Sequence, residues 1–288
     1  MSRQVYLDYA ATTFTAPEVV SAMTPYFTES FGNPSSIYSF SERNRKAIDA
    51  ARQKVADVLG ATKEEIYFTS GGTEADNWAL KGAAWRNRSK GNHVITTKIE
   101  HHAVLHTAQF LQENGFDVTF LDVDAEGRIS LDDLKKAVTG KTVLVSVMFA
   151  NNEIGTLQPV AEIGAFCREK GILFHTDAVQ ATAHVPIDVK AMNIDLLSLS
   201  AHKFYGPKGV GALYVRKGVR IDNFMHGGGQ ERGRRATTEN VAGIVGLGAA
   251  IELTSGRMKT ASARIGGLRD LLVEGVMKTI PHAKLNGA

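Results

Sequence analysis

Seven short apolar runs recur along this chain with longer amphipathic segments between them, the signature of an α/β domain built on a largely parallel sheet. They lie at Glu65–Phe68, His93–Thr97, Val118–Asp122, Val143–Met148, Leu173–Thr176, Asp195–Leu199 and Gly211–Val215. The segment SERNRKAIDAARQKVADVLG places Ala47, Ile48, Ala51, Val55, Val58 and Leu59 on one helical face and stops at Gly60. SLDDLKKAV opens on Ser130 with Asp133 three residues on, a capping-box-like helix start. SARIGGLRDLLVEGVMKT predicts the first helix of a further, C-terminal domain. No internal repeat or low-complexity linker interrupts the pattern.

With 288 residues, 43% of them hydrophobic and 22% charged, the chain buries a large core and fits one large domain plus part of another. A formal charge of +3, from 33 basic and 30 acidic residues, is too mild a bias for a nucleic-acid partner, and the cluster Arg232, Arg234, Arg235 is local. The longest uncharged apolar stretch, Val241 to Ile251, is short and glycine-rich against the ~20 residues that span a bilayer. A cytoplasmic protein with no membrane partner is expected. The single cysteine, Cys167, excludes an internal disulfide framework and a cysteine-based zinc cluster.

Ligands of open α/β sheets bind beyond the carboxyl ends of the strands, and five successive ends here carry polar clusters. TSGGTEADN follows EIYF, IEHHAV follows VITTK, ANNEIG follows VSVMF, DAVQ follows ILFHT and SAHK follows DLLSL. Gly71, Gly72 and Thr73 let the backbone approach an anion at a helix start, though SGGT alone also reads as a capped helix. This is neither a Walker A loop nor a dinucleotide fingerprint. Asp177, ending an apolar strand, is costly unless it meets a cation or hydrogen-bond donors; the alternative is a helix cap. Of His101 and His102, one imidazole can stack on a flat ring while the other faces solvent, and without a cysteine pair or HExxH they do not read as a zinc site. Lys203, in a turn between two rigid elements beside apolar walls, suits imine formation. An anion cradle, a flat-ring platform, a carboxylate for a ring nitrogen and such a lysine together specify pyridoxal 5′-phosphate (PLP).

The chain resembles the cysteine desulfurases of the NifS/IscS type, PLP enzymes of the fold-type I, class V aminotransferase group. The likeness runs from YLDYAATT (6–13) and FGNPSS (31–36) through SGGTEADN, EHHAVL, ANNEIG, HTDAVQ and SAHKFYGPKGVGALYV to MHGGGQERGRRATTEN (225–240). It implies a mainly parallel seven-stranded sheet with helices on both faces and a large PLP-binding domain at 15–255. Residues 1–14 and 256–288 would be parts of a smaller, incomplete C-terminal domain. By the same resemblance Lys203 holds PLP and moves protons, Asp177 pairs with the pyridinium nitrogen, Gln180 meets the phenolic oxygen and His101 stacks on the ring. Gly72, Thr73, Ser200 and His202 hold the phosphate, Asn152 orients substrate and cofactor, and Thr238 reaches the phosphate of a neighbouring subunit, which implies a homodimer.

The implied reaction converts L-cysteine to L-alanine and leaves the sulfur as an enzyme persulfide. An iron–sulfur scaffold or a tRNA-thiolation carrier would accept it. NNEIG and HGGGQERGRR favour this reaction over a selenocysteine lyase or an aminotransferase on the same scaffold; a shortened homologue serving as a binding partner is the third possibility. Tyr38 and Ser41 stand where the family usually has histidine and glycine. The family's nucleophilic cysteine and carboxylate-binding arginine are expected beyond Ala288, so the chain alone is expected to turn over poorly. Cys167, within PVAEIGAFCREKG, is expected to pack rather than react.

Overall fold

All seven apolar runs form strands, with ends displaced by at most two residues. The structure, a computed structural model, describes residues 4–287. The strands are β1 (Ile66–Thr69), β2 (His93–Thr97), β3 (Asp117–Leu121), β4 (Thr142–Ser146), β5 (Leu173–Asp177), β6 (Leu196–Ser200) and β7 (Gly211–Val215). They make one sheet in the order β1-β7-β6-β5-β4-β2-β3. The pairs β2–β3, β2–β4, β4–β5 and β5–β6 are parallel, whereas β7 runs antiparallel to both β1 and β6. Only residues 201–210 separate β6 from β7. A segment that short cannot make a parallel crossover, so the chain returns antiparallel and pairs Ser200 with Gly211.

The connecting helices are α1 (Pro17–Met23), α2 (Pro25–Thr28), α3 (Glu42–Leu59), α4 (Gly72–Arg86), α5 (His102–Glu113), α6 (Leu131–Ala137), α7 (Val160–Lys170), the single turn α8 (Gln230–Gly233) and α9 (Val241–Thr279). Side chains alternate across the sheet into two cores. Leu197, Leu199, Ala212 and Tyr214 pack with α3, α7 and α9, while Leu196, Leu213 and Val215 pack with α4 and α5. Helices therefore cover both faces, as the sequence predicts. Among the described residues no helix is long and apolar enough to cross a membrane.

Local signals behave as their chemistry requires. Gly60 ends α3 in the left-handed region at φ 68°, and the Ser130 hydroxyl accepts the Asp133 N–H at 3.2 Å to cap α6. Two expectations need correction. The buried face of α3 includes Arg52 and Ala56, while Ala47 and Val58 are only half-buried. Arg52 goes inside because its guanidinium forks onto Glu231 at 2.8 and 2.7 Å and also donates to the Ile66 carbonyl at 2.8 Å. Glu231 accepts the Phe68 N–H as well, at 2.9 Å, and both Glu231 and Arg232 lie at positive φ, 46° and 59°. Residues 262–279, read as a separate helix, instead continue α9, since between Ile251 and Ser262 no proline and a lone glycine offer nothing to stop it. The last buried residue of α9 is Ile251.

Removing one member of a buried ion pair leaves the other charge without compensation, at a cost of about 3–5 kcal/mol. Glu231→Ala is therefore expected to lower the unfolding free energy by about that amount, read from urea denaturation monitored by tryptophan fluorescence.

Candidate active site

The carboxyl ends of β1, β2, β4, β5 and β6 open onto a single cavity of about 520 Å³. Gly72, Thr73, His101, Asn152, Asp177, Gln180, Ser200, His202 and Lys203, all singled out from the sequence, line it together. Thr238 does not; it is exposed, outside the cavity of its own chain.

After β1 the backbone turns sharply. Gly71 sits at φ 155° and ψ −178°, a region closed to residues with a Cβ. A Cβ on Gly72 would lie 2.7 Å from Val179 Cγ2, so the start of α4 can approach the β5 end only with glycine there. The approach is held from outside: Glu74 accepts the Ser70 N–H at 2.8 Å and the Arg235 guanidinium at 2.7 and 2.8 Å.

His101 caps α5, its Nδ1 accepting the Ala103 N–H at 3.1 Å. That bond leaves the ring proton to Nε2 and fixes the plane of the imidazole. His102 faces outward and packs on His106, ring centroids 5.0 Å apart. Asp177 is the last residue of β5; its Oδ1 accepts the Val179 N–H at 2.9 Å. No helix follows it, so its place is at the cavity floor and not as a helix cap. Asn152 donates to Glu153 Oε1 at 2.9 Å.

The N-terminal segment closes over this floor. Lys203 Nζ donates to the carbonyls of Ala10 and Ala11 at 2.5 and 2.9 Å, and Gln180 Nε2 donates to Ala10 at 3.0 Å. Thr13 clamps the segment down by donating its N–H and hydroxyl to the His202 carbonyl, both at 2.9 Å, while Thr12 Oγ1 lies 3.0 Å from His202 Nδ1. These carbonyl partners carry no sequence signal, because any residue supplies one. Asp76 also lines the cavity unannounced, although its position four residues after Gly72 places it on the same face of α4.

Burial lowers the proton affinity of Lys203, opposed by the charges of Asp177 and Asp8. Burial likewise raises Asp177, opposed by the Val179 N–H, His101 and Lys203. Glu100, buried behind His101, is pushed up to about 8, despite Oε1 accepting the Thr97 hydroxyl and Met148 N–H at 2.8 Å each. Cys167 lies in the core between α7 and the sheet, where burial pushes its thiol up to about 12.

The class-V aminotransferase family model matches residues 5–288. "Cysteine desulfurase IscS" of Clostridium botulinum is 64% identical over 287 residues, covering 100% of this chain and 72% of the relative. The chain belongs to the IscS-type cysteine desulfurases of the class-V aminotransferase family. Among solved structures, a NifS-like protein superposes with TM-score 0.94 at 43% identity, over 96% of this chain and 76% of that one. SspA in complex with cysteine does so at 0.84 and 47% identity, over 86% and 72%. Enzymes of this family use PLP, and the donor set fits it. An anion cradle free of Cβ atoms at Gly71 and Gly72, a buried carboxylate at Asp177 and an amine of lowered proton affinity at Lys203 share one cavity.

Forcing Gly71 to carry a Cβ costs about 1–3 kcal/mol of backbone strain. Gly71→Ala is expected to weaken PLP binding about tenfold or more, measured by absorbance titration of the cofactor-free protein. Glu100 adds a pH dependence. Its folded value of about 8 exceeds its ordinary 4.5, so between those values the folded protein holds a proton that the unfolded chain has released. The stability this proton supplies is greatest below about 4.5 and is lost as pH rises through about 8. Glu100→Gln is expected to flatten that fall in a series of denaturation curves against pH.

Proposed function

We propose that this chain is a PLP-dependent cysteine desulfurase that converts L-cysteine to L-alanine, its sulfur leaving as a persulfide on a thiolate acceptor. The convergence of Lys203 Nζ, the Asp177 carboxylate and the Gly71–Thr73 turn on one cavity carries this reading. Bound PLP supplies an electron sink for the electron pair released at the substrate's α carbon. Gly72, Thr73, Ser200 and His202 hold its phosphate, His101 lies against its ring, and Gln180 meets its phenolic oxygen. Asp177 holds the charge that keeps the ring nitrogen protonated. Asn152 orients the substrate. Lys203 Nζ anchors the cofactor and, its proton affinity lowered by burial, takes and returns the substrate proton. The substrate's C–S bond breaks, the sulfur forms an S–S bond with the acceptor thiolate, and the carbon gains a proton.

The acceptor thiolate is not Cys167, which is fully buried and held protonated by its surroundings. The same reading makes the protein a cytoplasmic homodimer in which Thr238, exposed and away from its own cavity, reaches the cofactor phosphate of the neighbouring subunit. It assigns residues 15–255 to the PLP-binding domain and 1–14 and 256–288 to a smaller one; residues 1–3 and 288 lie outside the described structure. Exposed Ile265, Leu268, Leu271 and Leu272 on α9 favour that division. An iron–sulfur scaffold or a tRNA-thiolation carrier would take the sulfur onward.

The purified protein is expected to be yellow, and borohydride reduction should fix the cofactor to the peptide carrying Lys203; an adduct on Lys208 in mass spectrometry overturns the assignment. L-Cysteine should shift the cofactor spectrum. Cys167→Ser should change neither that shift nor alanine formation in the presence of an added thiol. Steady turnover abolished by Cys167→Ser would contradict the role given to this residue.

A further inference from the structure

Three carboxyl groups, those of Asp76, Glu100 and Asp177, are buried around the floor of the cavity, with exposures of 1%, 6% and 6%. The charges of Asp177 and Glu100 raise the proton affinity of Asp76, and that of Asp177 raises the proton affinity of Glu100. Three mutually repelling buried carboxylates cannot all stay ionised, so the distribution of charge among them is a property of the site.

The partners of each group decide that distribution. Asp177 accepts the Val179 N–H and faces Lys203 and His101. Glu100 is held through one oxygen by Thr97 and Met148. Asp76 has the weakest support: a Ser198 hydroxyl opposes the effect of burial, but no backbone N–H and no cation does. Its Oδ1 is buried without a hydrogen-bond partner, and no cation among the described residues opposes its burial. A basic group beside it is His175 on β5, with Nε2 3.6 Å from Oδ1. That imidazole is fully buried, its affinity for a second proton is pushed down to about 3 by burial, and its nitrogens already meet Ser146 Oγ at 2.8 Å and Ser198 Oγ at 3.0 Å. The Ser198 hydroxyl, on β6, also stands within hydrogen-bonding reach of the Asp76 carboxyl.

We propose that Asp76 is a positioning residue that stands at neutral pH as a carboxylic acid, keeping on the oxygen that faces Ser198 the proton that would otherwise neutralise Asp177. One chain of hydrogen bonds then runs through the row: Asp76 O–H donates to Ser198, Ser198 O–H to His175 Nε2, and His175 Nδ1–H to Ser146. The single negative charge of the floor rests on Asp177, where a protonated ring nitrogen needs it. The inference rests on the PLP reading of the site for its consequence, but the proton itself is readable without cofactor or turnover, so either can fail alone.

The test is infrared spectroscopy of the protein labelled with 13C-carboxyl aspartate, at a pH above the Asp195 value of about 6 so that this other buried aspartate is ionised. One isotope-shifted carboxylic-acid carbonyl band, sensitive to D2O, is expected; it should persist in Asp177→Asn and vanish in Asp76→Asn. Absence of the band in the parent protein, or its loss in Asp177→Asn, overturns the proposal, and neither outcome depends on Asp76→Asn folding. Nitrogen-15 NMR of His175 gives an independent reading. The Nδ1–H tautomer is expected, and an Nε2–H tautomer or an imidazolium overturns the proposed chain.

Discussion

The parallel pairing of β5 with β6 is the contact on which the site depends. Its register sets Asp177 against Ser198, so the strand that ends in the carboxylate lies beside the strand that runs on into Ser200, His202 and Lys203. Neither strand can slip by one residue, because a slip would turn Leu197 and Leu199 out of one core and send Ser198 into it. Apolar alternation that buries the sheet on both sides therefore also fixes the separation of the cavity's acid and amine. β7 secures the outer side of β6 by the antiparallel return that its short connection imposes.

The sheet face toward α4 has a second character. Ser146, His175, Asp177 and Ser198 share that face, opposite the Leu197 and Leu199 side, and His175 meets Asp76 from the helix. A polar row within a sheet buried on both faces is unfavourable unless its members satisfy one another. The serine hydroxyls do this for His175, and the glycines bring the start of α4 close enough for the helix to take part. The same closeness shapes the Gly71–Thr73 turn, so one backbone approach serves both the buried network and the cavity mouth.

What was legible in the sequence follows from which interactions have a residue-type signature. Strand positions were clear because short β-branched and aliphatic runs end in glycine or polar clusters, and those clusters line the cavity. Arg52 was not legible. A charged residue on an otherwise apolar helical face reads as solvent-exposed until Glu231, distant in sequence, is brought against it. The continuity of α9 was hidden because its apolar stripe changes surroundings after Ile251, from core to surface, without any residue that stops a helix. The contacts of Lys203 with Ala10 and Ala11 were invisible for another reason: backbone carbonyls take part whatever the side chain is.

Those carbonyls bear on how the site is held together. Lys203 and the Ala10–Ala11 segment lie 192 to 193 residues apart in sequence, and bringing them together has an entropic cost that a few hydrogen bonds must offset. Thr13 meets much of it, since its N–H and hydroxyl both donate to the His202 carbonyl and its hydroxyl oxygen accepts the Tyr205 N–H. The clamp grips the residues flanking Lys203, not the lysine itself. The carbonyl contacts of the amine and the anchoring of the segment above it are therefore separate sets of bonds, and losing the first leaves the second in place.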